Sequence, residues 1–463
     1  GSIRLDEDLR DVEGMLVGKV YGYYLSIPAK TDLNHNVFVI GSQGSYKSVS
    51  YAAWAIVGSV KMGESLVITD PKGEHYGRFA RYLQEKEGYY LKVFCSKDFQ
   101  YSDGWDMLGC LDSAEEITQV ANTILRTVKG EERWDTYYDG GELNVLTALM
   151  IYARDIGGEH GNTFTDAYEL LATKSGTELL AMFNLLRSMH PNHPANVPWN
   201  AVRDSPSLPG FLSGLMNKLT FMINEYLQEV LRSQDIDLEL PARKKCAYFI
   251  IFSDQHSTYD AINSLFINLI IQRVIDYADR NKDKKCDVPV HFVLEEFPAL
   301  GGITDFSRKL GTARSRGIGI SMLLQQNSQI EKLYPKDWEA LIGGCDLRII
   351  MGCNDNGTAK YFSETAGNTT AQTESRRKNQ SMFQLTGNRV FYAESTSEAK
   401  RELIPLTDIL TMPTNQGIAY IRSIGPIKFE KVKYFEEYIN DELIPGLYTD
   451  HTPAWRENYR PRN

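Results

Sequence analysis

The residues with the clearest chemical potential are Lys47 and Ser48, which close the segment G-S-Q-G-S-Y-K-S at 41–48. Gly41 and Gly44, set among Ser42, Gln43 and Ser45, let a backbone fold its N–H groups around an anion. Lys47 can reach terminal phosphate oxygens, and Ser48 can offer its hydroxyl to Mg²⁺. These are the parts of a P-loop, and they make 41–48 a candidate site for ATP. The pattern departs from G-x-x-x-x-G-K-[ST] at one position, where Tyr46 replaces the second glycine. The amides of Gly41, Gly44 and Ser45 suffice for the anion nest if Tyr46 keeps a right-handed backbone and turns its ring outward.

A P-loop hydrolase needs a second acidic site, with one carboxylate bearing on Mg²⁺ and another polarising the attacking water. V-H-F-V-L-E-E at 290–296 supplies the pair: Glu295 for the metal side, with Ser48, and Glu296 for the water. Glu295 is one methylene longer than the more usual Asp, which predicts a shifted or water-mediated metal geometry. Downstream, the run 318–324 ends on Gln325, whose amide can hydrogen-bond a γ-phosphate or its water. An arginine at a subunit boundary can act in trans as a finger, and L-G-T-A-R-S-R-G at 310–317 offers Arg314 first and Arg316 second.

Such groups have to be carried on a sheet. Apolar runs at 36–40, 64–70, 89–95, 246–253, 288–294, 319–324 and 347–351 read as buried strands, with helical periods at 49–60, 76–86 and 259–280 between them. Strand, loop, helix, strand is the start of a parallel sheet. Segments 416–423 and 427–434 read as closing strands, and 17–28 as one or two short ones before the P-loop. From 113 to 231 the helical period takes over, at 114–127, 143–153, 165–171, 177–189 and 210–230, with the proline-rich stretch 191–209 as a loop. The expected organisation is therefore α/β: a nucleotide-binding domain in two parts, 1–112 and 232–463, around an all-α insertion at 113–231. Residues 366–400 are polar and read as a mobile or extended hairpin-like excursion, with Arg376, Arg377 and Lys378 as a solvated charge run, and the tail from 450 reads as loose.

Composition bounds these readings. With 463 residues, 42% hydrophobic and 24% charged, the chain has material for two or three domains, and no apolar run is long enough to cross a bilayer. A net charge of −10 disfavours a surface that coats nucleic acid everywhere and leaves room for local basic patches. Six cysteines without a C-x-x-C pair read as reduced thiols in a cytosolic domain, without zinc or disulfides. The opening Gly1-Ser2 resembles an expression scar, which leaves room for a native N-terminal segment, a membrane anchor included, ahead of this chain.

Taken together, G-S-Q-G-S-Y-K-S, I-T-D-P-K-G-E at 68–74, L-E-E-F-P-A-L-G at 294–301, A-R-S-R-G-I at 313–318, L-Q-Q-N-S-Q-I at 324–330 and G-C-D-L-R-I-I-M-G-C-N-D at 344–355 resemble the VirD4/TraG type IV coupling proteins. D-P-K-G-E is the most discriminating of these. The resemblance implies a RecA-like P-loop NTPase domain with an inserted all-α domain for substrate recognition, and an N-terminal anchor to the cytoplasmic face of the cell membrane. It also implies a homo-hexameric ring, with this fragment able to persist as a monomer. The implied work is DNA-stimulated ATP hydrolysis that passes single-stranded, relaxase-bound DNA or protein substrates, with the relaxase and accessory proteins, to the type IV secretion channel. The alternatives are a substrate-docking platform with little ATPase activity and another ring-shaped DNA translocase.

Overall fold

The structure is a computed structural model that describes residues 1–157, 161–378 and 392–459. The chain opens with β1 (Arg4–Asp6), β2 (Gly14–Val20) and β3 (Tyr23–Pro28), then enters β4 (Val37–Ile40), β5 (Ser65–Asp70) and β6 (Tyr90–Cys95). After a long helical stretch come β7 (Cys246–Ile251), β8 (Val290–Leu294), β9 (Ile318–Leu324) and β10 (Leu347–Ile350). A ribbon of β11 (Asn368–Lys378) and β12 (Tyr392–Glu402) is followed by β13 (Gln416–Ile421) and β14 (Gly425–Glu430).

Twelve of these strands form one sheet in the order β1-β3-β2-β14-β13-β10-β4-β9-β8-β5-β7-β6. The run from β10 to β6 is parallel throughout, and the strands from β13 outward pair antiparallel. Every residue of β4, β5, β7, β8 and β9 is buried, as expected of parallel strands covered on both faces. Alternation along β4 shows the two layers. Val37 and Val39 join a core with Trp54 and Ile56 of the helix Ala53–Met62, whereas Phe38 and Ile40 join a core with Phe266 and Ile270 of the helix Asp260–Arg280. No helix among the described residues is long and apolar enough to cross a membrane.

Between β6 and β7 the described chain is helical, with its longest helices at Ala114–Lys129, Tyr138–Asp155 and Gly176–Met189. The apolar side chains of these helices are continuous with the core under the sheet. The single helical run expected at 210–230 is divided into Leu208–Lys218, a 3₁₀ turn at Thr220–Ile223 and Glu225–Arg232. Asn224 causes the last break: its side chain accepts from the amides of Tyr226 (3.0 Å) and Leu227 (3.2 Å), a helix N-cap. The expected loop at 191–209 contains a short helix, Asn196–Asn200, and Pro209 sits in the first turn of the next helix, where a missing N–H costs little.

Two further expectations meet the structure at the C-terminal side. The ribbon β11–β12 is an extended antiparallel hairpin in register from Asn368↔Glu402 to Lys378↔Tyr392, with Arg376, Arg377 and Lys378 on its first strand. Residues 379–391 of the 366–400 excursion lie outside the described residues. The segment after 450 is not loose up to 459. Trp455 donates its indole N–H to Ser102 O at 2.7 Å, and Tyr459 donates to Glu225 Oε2 at 3.2 Å, so an amphipathic aromatic pair ties the tail down.

At the amino-terminal edge of the parallel strands, His291 is fully buried, with Nε2 2.8 Å from Ser321 Oγ and Nδ1 3.8 Å from a Glu64 oxygen. Burial is the main cause that pushes its pKa from 6.5 down to about 4, with His35 adding to burial and Glu64 opposing it. Between those values the unfolded chain binds the extra proton, so the contribution of the neutral imidazole is present above pH 6.5 and lost as pH falls toward 4. Urea unfolding is expected to show about 3 kcal/mol lost from this source across that window. His291→Gln should flatten this part of the profile; identical pH profiles for the two proteins would rule the assignment out.

Candidate nucleotide site

The carboxyl ends of β4, β5, β8 and β9 open on a cleft of about 350 Å³. Its walls include Ser42, Gln43, Gly44, Ser45, Tyr46, Lys47 and Ser48 from the loop after β4, Glu295 and Glu296 from the end of β8, and Gln325 from the end of β9. Gly41 leads into the loop, with its amide donating to Leu324 O at 3.0 Å. A Cβ at Gly41 would fall 2.3 Å from Ser45 Oγ and 2.9 Å from the Lys47 stem, so a side chain there has no room. Gly44 adopts φ +78°, which glycine accepts without steric cost.

The loop departs from expectation at two points. The amides of Gly41 and Ser45 are taken by Leu324 O and Ser42 O. Those of Tyr46, Lys47 and Ser48, by contrast, have no backbone acceptor among the described residues and stand at the start of the helical turn Ser48–Ala52. The donors free to meet an anion are therefore the first N–H groups of the helix, which have no carbonyl to accept them within it. Tyr46 is not right-handed: its φ is +65°, the conformation for which the ordinary motif uses glycine. Its ring does turn outward, 41% exposed, with Lys433 Nζ 4.8 Å from the ring centroid.

A left-handed backbone costs a non-glycine residue about 1–2 kcal/mol. Tyr46→Gly relieves that cost, but gives up the Lys433 contact and adds freedom to the unfolded chain, so its stability is expected within about 1 kcal/mol of the parent. Tyr46→Val places a branched Cβ in the same conformation and is expected about 2 kcal/mol below the glycine variant. Urea midpoints measure both, and equal stability of the valine and glycine variants would contradict the left-handed turn.

The acidic side is built around Glu295. Its carboxylate accepts from Ser48 Oγ with one oxygen and contacts His75 Nε2 with the other, while Thr69 Oγ1 donates to its carbonyl at 2.8 Å. The extra methylene relative to Asp thus spans Ser48 and His75. Burial opposes charge on both partners, yet the contact wins: His75, Ser48 and Lys47 hold Glu295 below its ordinary pKa, and Glu295 and Asp70 raise that of His75. Asp70, deeply buried at the end of β5, is pushed up by desolvation and accepts from Tyr76 N at 2.8 Å. Lys47 is 8% exposed and folds back to donate to Gly41 O; burial lowers its pKa against the pull of Glu296 and Glu295. Glu296, at φ +50°, receives Gln325 Nε2 on both oxygens at 3.2 and 3.3 Å.

Arg314 and Arg316 stand elsewhere. They precede β9, whereas Gln325 follows it, which puts them roughly 20 Å of strand away. Arg314 donates to Thr31 O at 3.2 Å, and Arg316 grips Asp279 with two bonds of 2.8 and 3.0 Å. The sequence reading passed over His75, whose one signal is its place directly after D-P-K-G-E. It also passed over Lys431, which no local pattern marks.

The family of type IV secretory system conjugative DNA transfer proteins matches residues 5–455. The chain belongs to that family. Among solved structures, the bacterial conjugative coupling protein TrwBdeltaN70 in an unbound form is similar with a TM-score of 0.67 at 14% identity, over 91% of this chain and 89% of that one. TrwB in complex with ADP and Mg²⁺ gives 0.64 at 14% identity, over 91% and 89%. VirB4 of Thermoanaerobacter pseudethanolicus gives 0.52 at 10% identity, over 91% and 97%. No curated protein matches the chain. The fold is that of a RecA-like P-loop NTPase with an all-α domain, and the family's business is conjugative DNA transfer through type IV secretion.

Proposed function

We propose that this coupling-family protein binds and hydrolyses ATP and uses the cycle to deliver relaxase-bound DNA or protein substrates to a transfer channel. The observation that carries the reading is the convergence of Lys47, Ser48, Glu295, Glu296 and Gln325 on one cleft from three separate strands. In it, the amides after Ser45 and the Lys47 ammonium bind the phosphates. The Ser48 hydroxyl and the Glu295 carboxylate, hard oxygen donors already in contact, suit Mg²⁺ and would hold it, and the ion would neutralise phosphate charge there. Glu296, steadied by Gln325, takes the proton of the attacking water.

Arg314 lies far from its own cleft, as a group that serves a neighbour's nucleotide must, and this supports a homo-hexameric ring with the finger in trans. The helical unit at 113–231, which supplies none of the residues named on the walls of the cleft, is the part we assign to substrate recognition. Single-stranded DNA, the relaxase and its accessory proteins and the secretion channel are the partners, and an N-terminal anchor ahead of this chain holds it to the cytoplasmic face of the membrane. The test is ATP turnover with Mg²⁺, with and without single-stranded DNA, against Lys47→Ala. Turnover that rises with DNA and vanishes in the variant supports the reading; a wild type no faster than the variant overturns it.

A further inference from the structure

Lys431 follows β14 and is 8% exposed, far in sequence from the P-loop. Its Nζ donates to Ser45 O at 2.9 Å, to Thr414 O at 2.8 Å and to Met351 O, and its backbone N–H donates to Asn415 O at 2.8 Å. The three donors of the ammonium are thereby spent on three segments: the P-loop, the end of β10, and the loop that returns from the ribbon to β13. Among the described residues no carboxylate pairs with it. Burial, Lys47 and Lys433 all oppose its charge and push its pKa down to about 8. A buried cation held only by carbonyl dipoles beside other cations is an expensive way to fill space.

The Ser45 carbonyl and the Tyr46 amide belong to one peptide group. That group is planar and trans, so holding the oxygen toward Lys431 directs the N–H to the opposite side. The same peptide leads into the left-handed turn at Tyr46, a conformation that glycine takes freely and tyrosine resists. A P-loop with glycine at this position needs no such brace. We propose that Lys431 is a positioning residue of the nucleotide site, pinning the Ser45–Tyr46 peptide so that a P-loop with tyrosine at position 46 still presents its amides to phosphate. This rests on the nucleotide-binding reading above.

The experiment uses the full chain with ADP and Mg²⁺ in calorimetry, and hydrogen exchange of peptides covering 42–48 in the nucleotide-free protein. Lys431→Met is expected to weaken ADP binding about tenfold and to speed exchange in the P-loop, with exchange in β5 and β7 unchanged. The double variant Lys431→Met with Tyr46→Gly should recover ADP affinity to within about threefold of the parent, because glycine dispenses with the brace. A residue that only held the fold together would show no such rescue. If the methionine variant does not fold, Lys431→Gln, with two donors, is read in its place. Unchanged affinity and exchange in the single variant, or simple addition of the two single effects in the double, overturns the proposal. A parent protein that binds no ADP defeats the nucleotide reading, and the exchange measurement then decides the brace by itself.

Discussion

Lys47→Ala is expected to weaken ATP and ADP binding about a hundredfold, which is about 3 kcal/mol, and to abolish turnover. Lys47 is buried, its charge is disfavoured by desolvation, and its resting partner is a neutral carbonyl at Gly41. An incoming phosphate gives that ammonium a directly bonded anion beyond the more distant pull of Glu296 and Glu295, so the contact is charge-assisted and shielded from water, the condition under which such bonds are strongest. Alanine removes the charge without disturbing β4 or the backbone bonds of Gly41 and Ser42 to the ends of β9 and β10. Calorimetry with ADP and a phosphate-release assay measure the two losses. Affinity retained within about threefold would mean that the helix amides alone hold the nucleotide.

Glu296→Gln is expected to leave nucleotide affinity within about threefold and to lower turnover about a thousandfold, the scale of a lost general base. The substitution keeps the shape of the side chain and one of the two oxygens that receive Gln325, and removes its charge and its ability to accept a proton. Gln325→Ala should lower turnover less, through a wandering Glu296. The double variant should be little worse than Glu296→Gln alone, because two residues acting as one unit are not additive. Single-turnover measurements at saturating ATP separate this from a binding defect. Near-normal turnover in Glu296→Gln would transfer the role of base to another group in the cleft.

Element types were largely readable in the chain because the signals are local. Val37 to Ile40 before a glycine, or the apolar run before Glu295, has one economical fold as a doubly covered strand, and strands cross at the expected places. One failure was local and one was long-range. Asn224 looked like a helix interior because its capping role depends on the backbone turning just before it. The tail from 450 read as loose because its aromatic anchors, Trp455 and Tyr459, find partners at Ser102 and Glu225, far back in the sequence.

The sequence by itself determined the parts: a phosphate loop, paired acids, a glutamine at a strand end, an all-helical stretch between strands, and the family to which their order belongs. Only the tertiary structure decided how those parts are used. Strand order β4-β9-β8-β5 set Ser48, Glu295 and His75 in one row and left Arg314 at the other end of β9. It brought Lys431 beneath Ser45 and Lys433 over Tyr46, and it put Tyr46 in a left-handed turn where the motif alone allowed a right-handed one. The physical reason is range. Periodicity and turn chemistry act over a few residues, whereas hydrogen bonds between side chains hundreds of residues apart exist only once the sheet has chosen its neighbours.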